Sequence, residues 1–146
     1  MTDSTGRVLI VEDDESLRHI VSQYLRAQGH EVDEAASAEE AAGILAGGLR
    51  PGVVILDLNL PGDTGWDLLR GPALAAAGSP PVIITSATTV SPRRLAEFNC
   101  AGYLPKPFPL ETLVATVDRL LAPAQAAATD STGAGGAPES TLEDGG

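Results

Sequence analysis

Hydrophobic residues in this chain gather in short blocks separated by longer amphipathic stretches. Three blocks are apolar throughout: Val8-Leu9-Ile10-Val11, Val53-Val54-Ile55-Leu56 and Val82-Ile83-Ile84. Short, unalternating and rich in β-branched residues, they read as strands covered on both faces of a parallel sheet. With two weaker candidates, the predicted strands are Arg7–Val11, Glu31–Ala35, 53–56, 81–85 and 102–104. Glu31–Ala35 is more polar, as suits an edge strand. Between these blocks, apolar positions recur at spacings of three and four. Leu17, Ile20, Val21, Tyr24 and Leu25 form one such face, stopped by Gly29. Ser37 with Glu40 reads as a capping box that opens a helix with Ala38, Ala41, Ala42 and Leu45 inward. Thr64 with Asp67 repeats the device before Trp66-Asp67-Leu68-Leu69, and Ser91-Pro92 pairs a cap with proline at the first helical position. Leu110, Leu113, Val114, Val117, Leu120 and Leu121 make the last stripe. Alternating strand and helix predict a doubly wound α/β domain, (βα)5, with a five-stranded parallel sheet and a crevice at the strands' carboxyl ends.

The pattern stops after Leu121. Residues 122–146 are mostly Ala, Gly, Ser, Thr and Pro, with Asp130, Glu139, Glu143 and Asp144. Such a segment cannot repay the entropy of ordering, so it is expected to be a flexible acidic tail beside one compact domain at 7–121. A chain of 146 residues with 43% apolar residues has room for one full core. The net charge of −11 argues against direct nucleic-acid binding and against anionic membranes. A single cysteine, Cys100, leaves no internal disulfide, and the first residues lack a basic-then-apolar leader. Cytoplasmic residence is the expectation. Cys100 itself reads as a small apolar filler, and His19 and His30 as solvent-exposed residues.

Polar signals stand where the apolar blocks end. Glu12-Asp13-Asp14 follows the first, Asp57 the second, Thr85 the third, and the only lysine, Lys106, follows the last predicted strand. Parallel strands would bring Glu12, Asp13 and Asp57 together. Unneutralised carboxylates repel and raise at least one pKa, and a hard divalent cation removes the conflict. Mg²⁺ would be served by two carboxylates and a backbone carbonyl, which Asn59 is placed to offer. Asp14 alone is explained as a helix cap. Asp57 could be only a ligand, or a nucleophile that forms an acyl phosphate. Three phosphoryl oxygens would then need partners: the cation, Lys106 and the Thr85 hydroxyl. Amides of Leu58, Asn59 and Ser86 could assist, and Ser86 and Ala87 are small enough to leave space. No Ser/His/acid set and no glycine-rich phosphate loop is present.

These residues resemble the receiver domain of two-component response regulators. The matching stretches are Val11-Glu12-Asp13-Asp14, Asp57-Leu58-Asn59-Leu60-Pro61-Gly62 followed by Gly65, Ile84-Thr85-Ser86, and Tyr103 through Lys106-Pro107-Phe108. The resemblance spans nearly all of 7–121 and implies a flavodoxin-like sheet of order 2-1-3-4-5. It implies that Asp57 is phosphorylated by a histidine kinase or a histidine phosphotransfer protein. It further implies that Glu12 and Asp13 arrange Mg²⁺ (Mn²⁺ could substitute), with Asp13 favoured as the direct ligand. Thr85 would follow the phosphate, Lys106 would contact it, and Tyr103 would swing inward behind the hydroxyl. The Lys106–Pro107 bond would be cis.

Three departures stand out. Gly71-Pro72 and the alanines after it predict a third helix that is short or broken after Arg70. Pro105 removes a backbone donor beside Lys106. Cys100-Ala101-Gly102 lacks the paired acids of many winged-helix regulators, which argues against dimerisation in their usual mode. The favoured function is a phosphorylation-dependent signalling switch with weak self-catalysed dephosphorylation, not a dedicated enzyme. A downstream protein target, or an output domain not in these 146 residues, would read it. The competing readings are a phosphorylation-independent interaction module with the same fold and a small metal-dependent phosphatase.

Overall fold

The computed structural model describes residues 7–60, 65–98 and 100–121. The predicted Thr64 cap, the Pro61-Gly62 part of the second motif and the acidic tail lie outside these residues. Five strands, β1 (Arg7–Val11), β2 (Glu31–Ala35), β3 (Val53–Asp57), β4 (Val82–Ser86) and β5 (Gly102–Pro105), form one sheet in the order β2-β1-β3-β4-β5. Every neighbouring pair is parallel. The helices are α1 (Glu15–Ala27), α2 (Ala38–Ala46), α3 (Gly65–Arg70), α4 (Pro72–Ala76), α5 (Pro92–Glu97) and α6 (Leu110–Leu121).

The apolar blocks are buried on both faces because alternate side chains serve two cores. Val8 and Ile10 of β1, with Val53, Ile55 and Ile83, meet α1 and α6 through Val21, Leu25, Leu113 and Val117. Leu9 and Val11, with Val54, Leu56 and Ile84, meet α2, α3 and α4 through Ala41, Leu45, Leu68 and Leu74. A strand that must bury both faces has no use for polar alternation, and this explains the unbroken runs. The polar edge strand β2 instead spends its acids on ion pairs. Arg7 meets Asp33 at 2.6 Å and also Glu31, while Glu34 takes Arg18 at 3.1 Å and Arg26 at 3.3 Å.

Helix boundaries follow the caps. Asp14 accepts from the Leu17 amide at 3.1 Å, opening α1. Ser37 accepts from the Glu40 amide at 3.0 Å, and the Glu40 carboxylate accepts from the Ala36 amide at 2.6 Å. Ser91 caps α5 with Pro92 next to it. The third helical segment is divided: α3 ends at Arg70, Gly71 intervenes, and α4 restarts on Pro72. The break expected after Arg70 is therefore present. Strand bounds differ slightly from the expectation, since β3 runs on to Asp57, β4 spans Val82–Ser86 and β5 reaches Pro105. Two side chains depart further. Ile20 belongs to the apolar repeat of α1 yet is 50% exposed, because the helix rests on the sheet through Val21 and Leu25 and turns Ile20 beyond the contact. His30 is not solvent-exposed: its side chain is only 15% accessible and its Nε2 lies 2.8 Å from Asp118 Oδ1 on α6.

Candidate functional site

Chain direction reverses between β1 and β3: β1 leads outward to β2, and β3 leads the other way to β4 and β5. In a doubly wound sheet that reversal opens a crevice at the strands' carboxyl ends. Both acidic signals occupy it. The Glu12 amide donates to the Ala35 carbonyl at 3.0 Å, which keeps it in line with the edge strand. Its side chain turns inward and is 4% exposed. Glu12 Oε2 accepts from the Asp14 amide at 3.1 Å, and Oε1 lies 2.7 Å from Lys106 Nζ. Asp13 remains exposed.

Asp57 ends β3 and is 1% exposed. Its Oδ1 accepts from the Asn59 amide at 2.9 Å and its Oδ2 from Lys106 Nζ at 3.1 Å. Thr85 is buried directly across from Asp57 in the β3–β4 register. Lys106 is reached by the turn after β5, where its amide donates to the Ser86 carbonyl at 2.8 Å; the Lys106–Pro107 peptide is cis. Tyr103, on β5, is half-buried and donates from its hydroxyl to the Thr88 carbonyl at 3.4 Å.

Electrostatics make this a strained acidic pocket with one cation. Burial pushes the Glu12 carboxyl up to about 7, and the Asp57 charge adds to the rise, while Lys106 and the Asp14 amide oppose it. Burial by itself would lower Lys106, but its hydrogen bonds to Glu12 and Asp57 outweigh that and hold its pKa above the ordinary value. One ammonium therefore serves two buried carboxylates. Oxygens of Glu12, Asp13 and Asp57 lie within 4.8 Å of one another. All-oxygen donors this close suit a hard divalent cation, which would offset the burial and the smaller repulsion that lift Glu12.

Three contributions escaped the sequence reading. Arg18, on the polar side of α1, donates from Nη1 to the Glu12 carbonyl at 2.9 Å and from Nε to Glu34. It ties the acidic corner to the edge strand. The Asn59 side chain, read only for its backbone carbonyl, accepts from Ser86 Oγ at 3.0 Å and from the Ala87 amide at 3.2 Å. It bridges the loops that follow β3 and β4. Gly65 is required by contact: a Cβ there would lie 2.7 Å from the Asp57 carbonyl oxygen and 2.9 Å from Leu58 Cα. The start of α3 thus presses directly on the backbone of Asp57. Gly65 stood in the recognised motif, but nothing in the sequence signalled the closeness of that approach.

Comparison with known proteins gives a consistent picture. A family model for the response regulator receiver domain matches residues 8–118. The chain is 33% identical over 117 residues to the response regulator MprA of Mycolicibacterium vanbaalenii, covering 79% of this chain and 50% of that protein. It is 34% identical over 118 residues to the virulence transcriptional regulatory protein PhoP of Shigella flexneri, covering 79% of this chain and 52% of that one. The chain thus spans about half the length of these relatives. Among solved structures, the chemotaxis response regulator CheY4 of Vibrio cholerae superposes with a TM-score of 0.68 at 34% identity, covering 79% of this chain and 98% of that chain.

Proposed function

The chain belongs to the response regulator receiver family, and on that premise we propose that it is a phosphorylation switch whose acceptor is Asp57. The observation that carries the reading is the position of Lys106 Nζ, 2.7 Å from Glu12 and 3.1 Å from Asp57, beside a cluster of carboxylates able to hold a metal. An Asp57 oxygen attacks the phosphorus of a phosphohistidine on a histidine kinase or phosphotransfer protein. The P–N bond breaks, its electron pair leaves on the imidazole nitrogen, and an acyl phosphate remains. Glu12, Asp13 and Asp57, with the Asn59 carbonyl, are the residues that would hold Mg²⁺, or Mn²⁺ in its place. When bound, that ion supplies positive charge against the phosphoryl oxygens.

Lys106 exchanges the Asp57 carboxylate for a phosphoryl oxygen, a change that suits a compact ammonium on a flexible stem. The Thr85 hydroxyl, level with Asp57, donates to another oxygen, and Tyr103 fills the space that Thr85 leaves. Water later attacks the phosphorus, the acyl oxygen leaves as the regenerated carboxylate, and inorganic phosphate departs. Glu12 is engaged by Lys106 and would hold the metal, and Asn59, Ser86 and Ala87 carry no basic side chain, so no dedicated base serves this hydrolysis and it is expected to be slow. The altered face is read by a downstream protein or by an output domain beyond these residues. Among the described residues no helix is long and apolar enough to cross a membrane.

Intact-protein mass spectrometry after incubation with a small phosphodonor and Mg²⁺ tests the assignment. The parent should gain one covalent phosphoryl group, and Asp57→Asn should gain none while keeping its circular dichroism. Full labelling of the variant would place the acceptor elsewhere. Lys106→Ala should retain partial labelling but lose most of the amide shift at Tyr103 and α6; undiminished shifts would restrict the lysine to balancing the resting charges.

A further inference from the structure

Helix α5 is held unlike the other long-range elements of the fold. It is six residues long and none of its residues is fully buried. What fixes it on the α3 side is a stack of planar groups. The Trp66 and Phe98 rings lie 5.1 Å apart at 41°. The Arg94 guanidinium sits 4.2 Å from the Trp66 centroid and 5.9 Å from that of Phe98, and Arg70 covers Phe98 at 5.9 Å. Arg94 is used here for its flat face more than for its N–H groups, since its Nε has no hydrogen-bond partner and Glu97 stands off at 3.6 Å. Trp66 is the second residue of α3. The first, Gly65, touches the Asp57 carbonyl and Leu58 so closely that no Cβ fits, and its amide points to the Leu58 carbonyl at 3.4 Å.

We propose that Trp66, Arg94 and Phe98 form a latch that carries a change at Asp57 through the start of α3 to α5, independently of Thr85 and Tyr103. The reasoning is mechanical. Displacement of the backbone at Asp57 and Leu58 reaches Gly65, whose amide points at the Leu58 carbonyl at 3.4 Å and whose backbone lies too near Asp57 for a Cβ to fit between them. Trp66 moves with it. A helix without a fully buried residue offers little resistance, so α5 follows the ring against which Arg94 and Phe98 lie. The tie depends on planarity, so lysine at position 94 keeps the charge but loses the stacked face. The proposal rests on Asp57 being the phosphoacceptor.

The full chain supplies its own reporter, since Trp66 is the only tryptophan. Parent, Arg94→Lys and Phe98→Leu proteins are treated with a small phosphodonor and Mg²⁺. Mass spectrometry reads the adduct, Trp66 fluorescence the stack, and amide NMR shifts the helix. Expected are equal labelling in all three, a change of Trp66 emission on labelling of the parent, and α5 shifts at least halved in both variants while shifts at Thr85 and Tyr103 persist. Melting curves of the unlabelled proteins identify a variant that fails to fold, and the two substitutions perturb the stack from different sides. Labelled variants whose α5 shifts equal those of the parent overturn the latch and leave the acceptor assignment standing. Absence of any adduct on the parent overturns the acceptor assignment and the latch with it.

Discussion

The two flanks of the sheet are built by different forces. On the β1–β2 flank, α1 runs for 13 residues, is capped by Asp14, and buries Val21, Ser22 and Leu25. Arg18 and Arg26 pin it to Glu34 at 3.1 and 3.3 Å, and Arg26 also donates to the Val32 carbonyl at 2.9 Å. On the other flank α3, α4 and α5 have six, five and six residues, and α5 buries none. A fully buried aliphatic side chain contributes about 1.5–3 kcal/mol, whereas an exposed cation–π contact contributes about 0.5–1 kcal/mol. Helix α5, held without a fully buried residue, therefore opens at lower free energy than α1. Glu12 and the metal-capable corner sit on the stiff flank, and the loops that, under the proposed function, answer a new phosphoryl group sit on the soft one. Asp57, between them, belongs to both.

The sharpest way to break this contrast is to truncate one apolar side chain on each side. Ile83, on the interior strand β4, is fully buried in the core that α1 and α6 cover. Ile83→Ala should lower the unfolding free energy by about 2–5 kcal/mol through lost burial and the cavity left behind. Leu95 on α5 is only half-buried, and Leu95→Ala should cost about 1 kcal/mol or less. Urea denaturation midpoints measure both. Comparable losses would mean that α5 is as firmly packed as the sheet.

A smaller effect sharpens the stiff side. Glu12 cannot turn to water, because its amide is fixed to Ala35, its carbonyl to Arg18 and its carboxylate to the Asp14 amide. Burial therefore pushes its carboxyl up to about 7 in the native protein, against 4.5 when unperturbed, although the Asp14 amide and Lys106 oppose the rise. Between those values the native state holds a proton that the unfolded chain has released, so stability falls as pH rises through the window. In metal-free buffer the loss should be on the order of 2 kcal/mol from this group. Millimolar divalent cation competes with the proton and should shrink it. Glu12→Gln should flatten the slope in chelator. A parent whose stability does not fall across the same range without metal, with a profile equal to that of Glu12→Gln, would place Glu12 in contact with solvent.

Strands and acidic signals were legible because burial on two faces forces an unbroken apolar run, and a break in that run is conspicuous. The divided third segment was legible too, since Gly71-Pro72 cannot lie inside a helix. What could not be read is anything set by three-dimensional closeness. Nothing local tells Ile20 from Val21, which occupy one apolar stripe yet differ in exposure from 50% to 1%. His30 meets Asp118 across a sequence separation of 88. The Asn59 carboxamide finds Ser86 only because β3 and β4 are neighbours. The same holds for the stack at Trp66, whose members come from α3 and from α5 with its C-cap Phe98, with α4 and β4 between them along the chain. Resemblance placed the site residues in order. The register put Thr85 level with Asp57 and the two charges of the acidic corner around one ammonium.

The smallest effect is expected from the acidic tail. Residues 122–146 carry one large apolar side chain, Leu142, and no lysine or arginine. From so little apolar surface the expectation is that the segment adds nothing to either flank by packing. Its acids Asp130, Glu139, Glu143 and Asp144 leave one route of influence, which is charge. That route points to the soft flank, where Arg70 and Arg93 are exposed and Arg94 is half-buried. Attraction between exposed groups is weak and screened by salt. A protein ending at Ala122 should therefore keep its melting temperature and its labelling rate, at low as well as moderate ionic strength. Amide shifts confined to α5 that vanish on adding salt would reveal a loose electrostatic association, still compatible with a dispensable tail. A drop of several degrees that salt does not remove would mean that the tail packs on the domain, and the weakness assigned to the α3–α5 flank would then belong to the truncated protein alone.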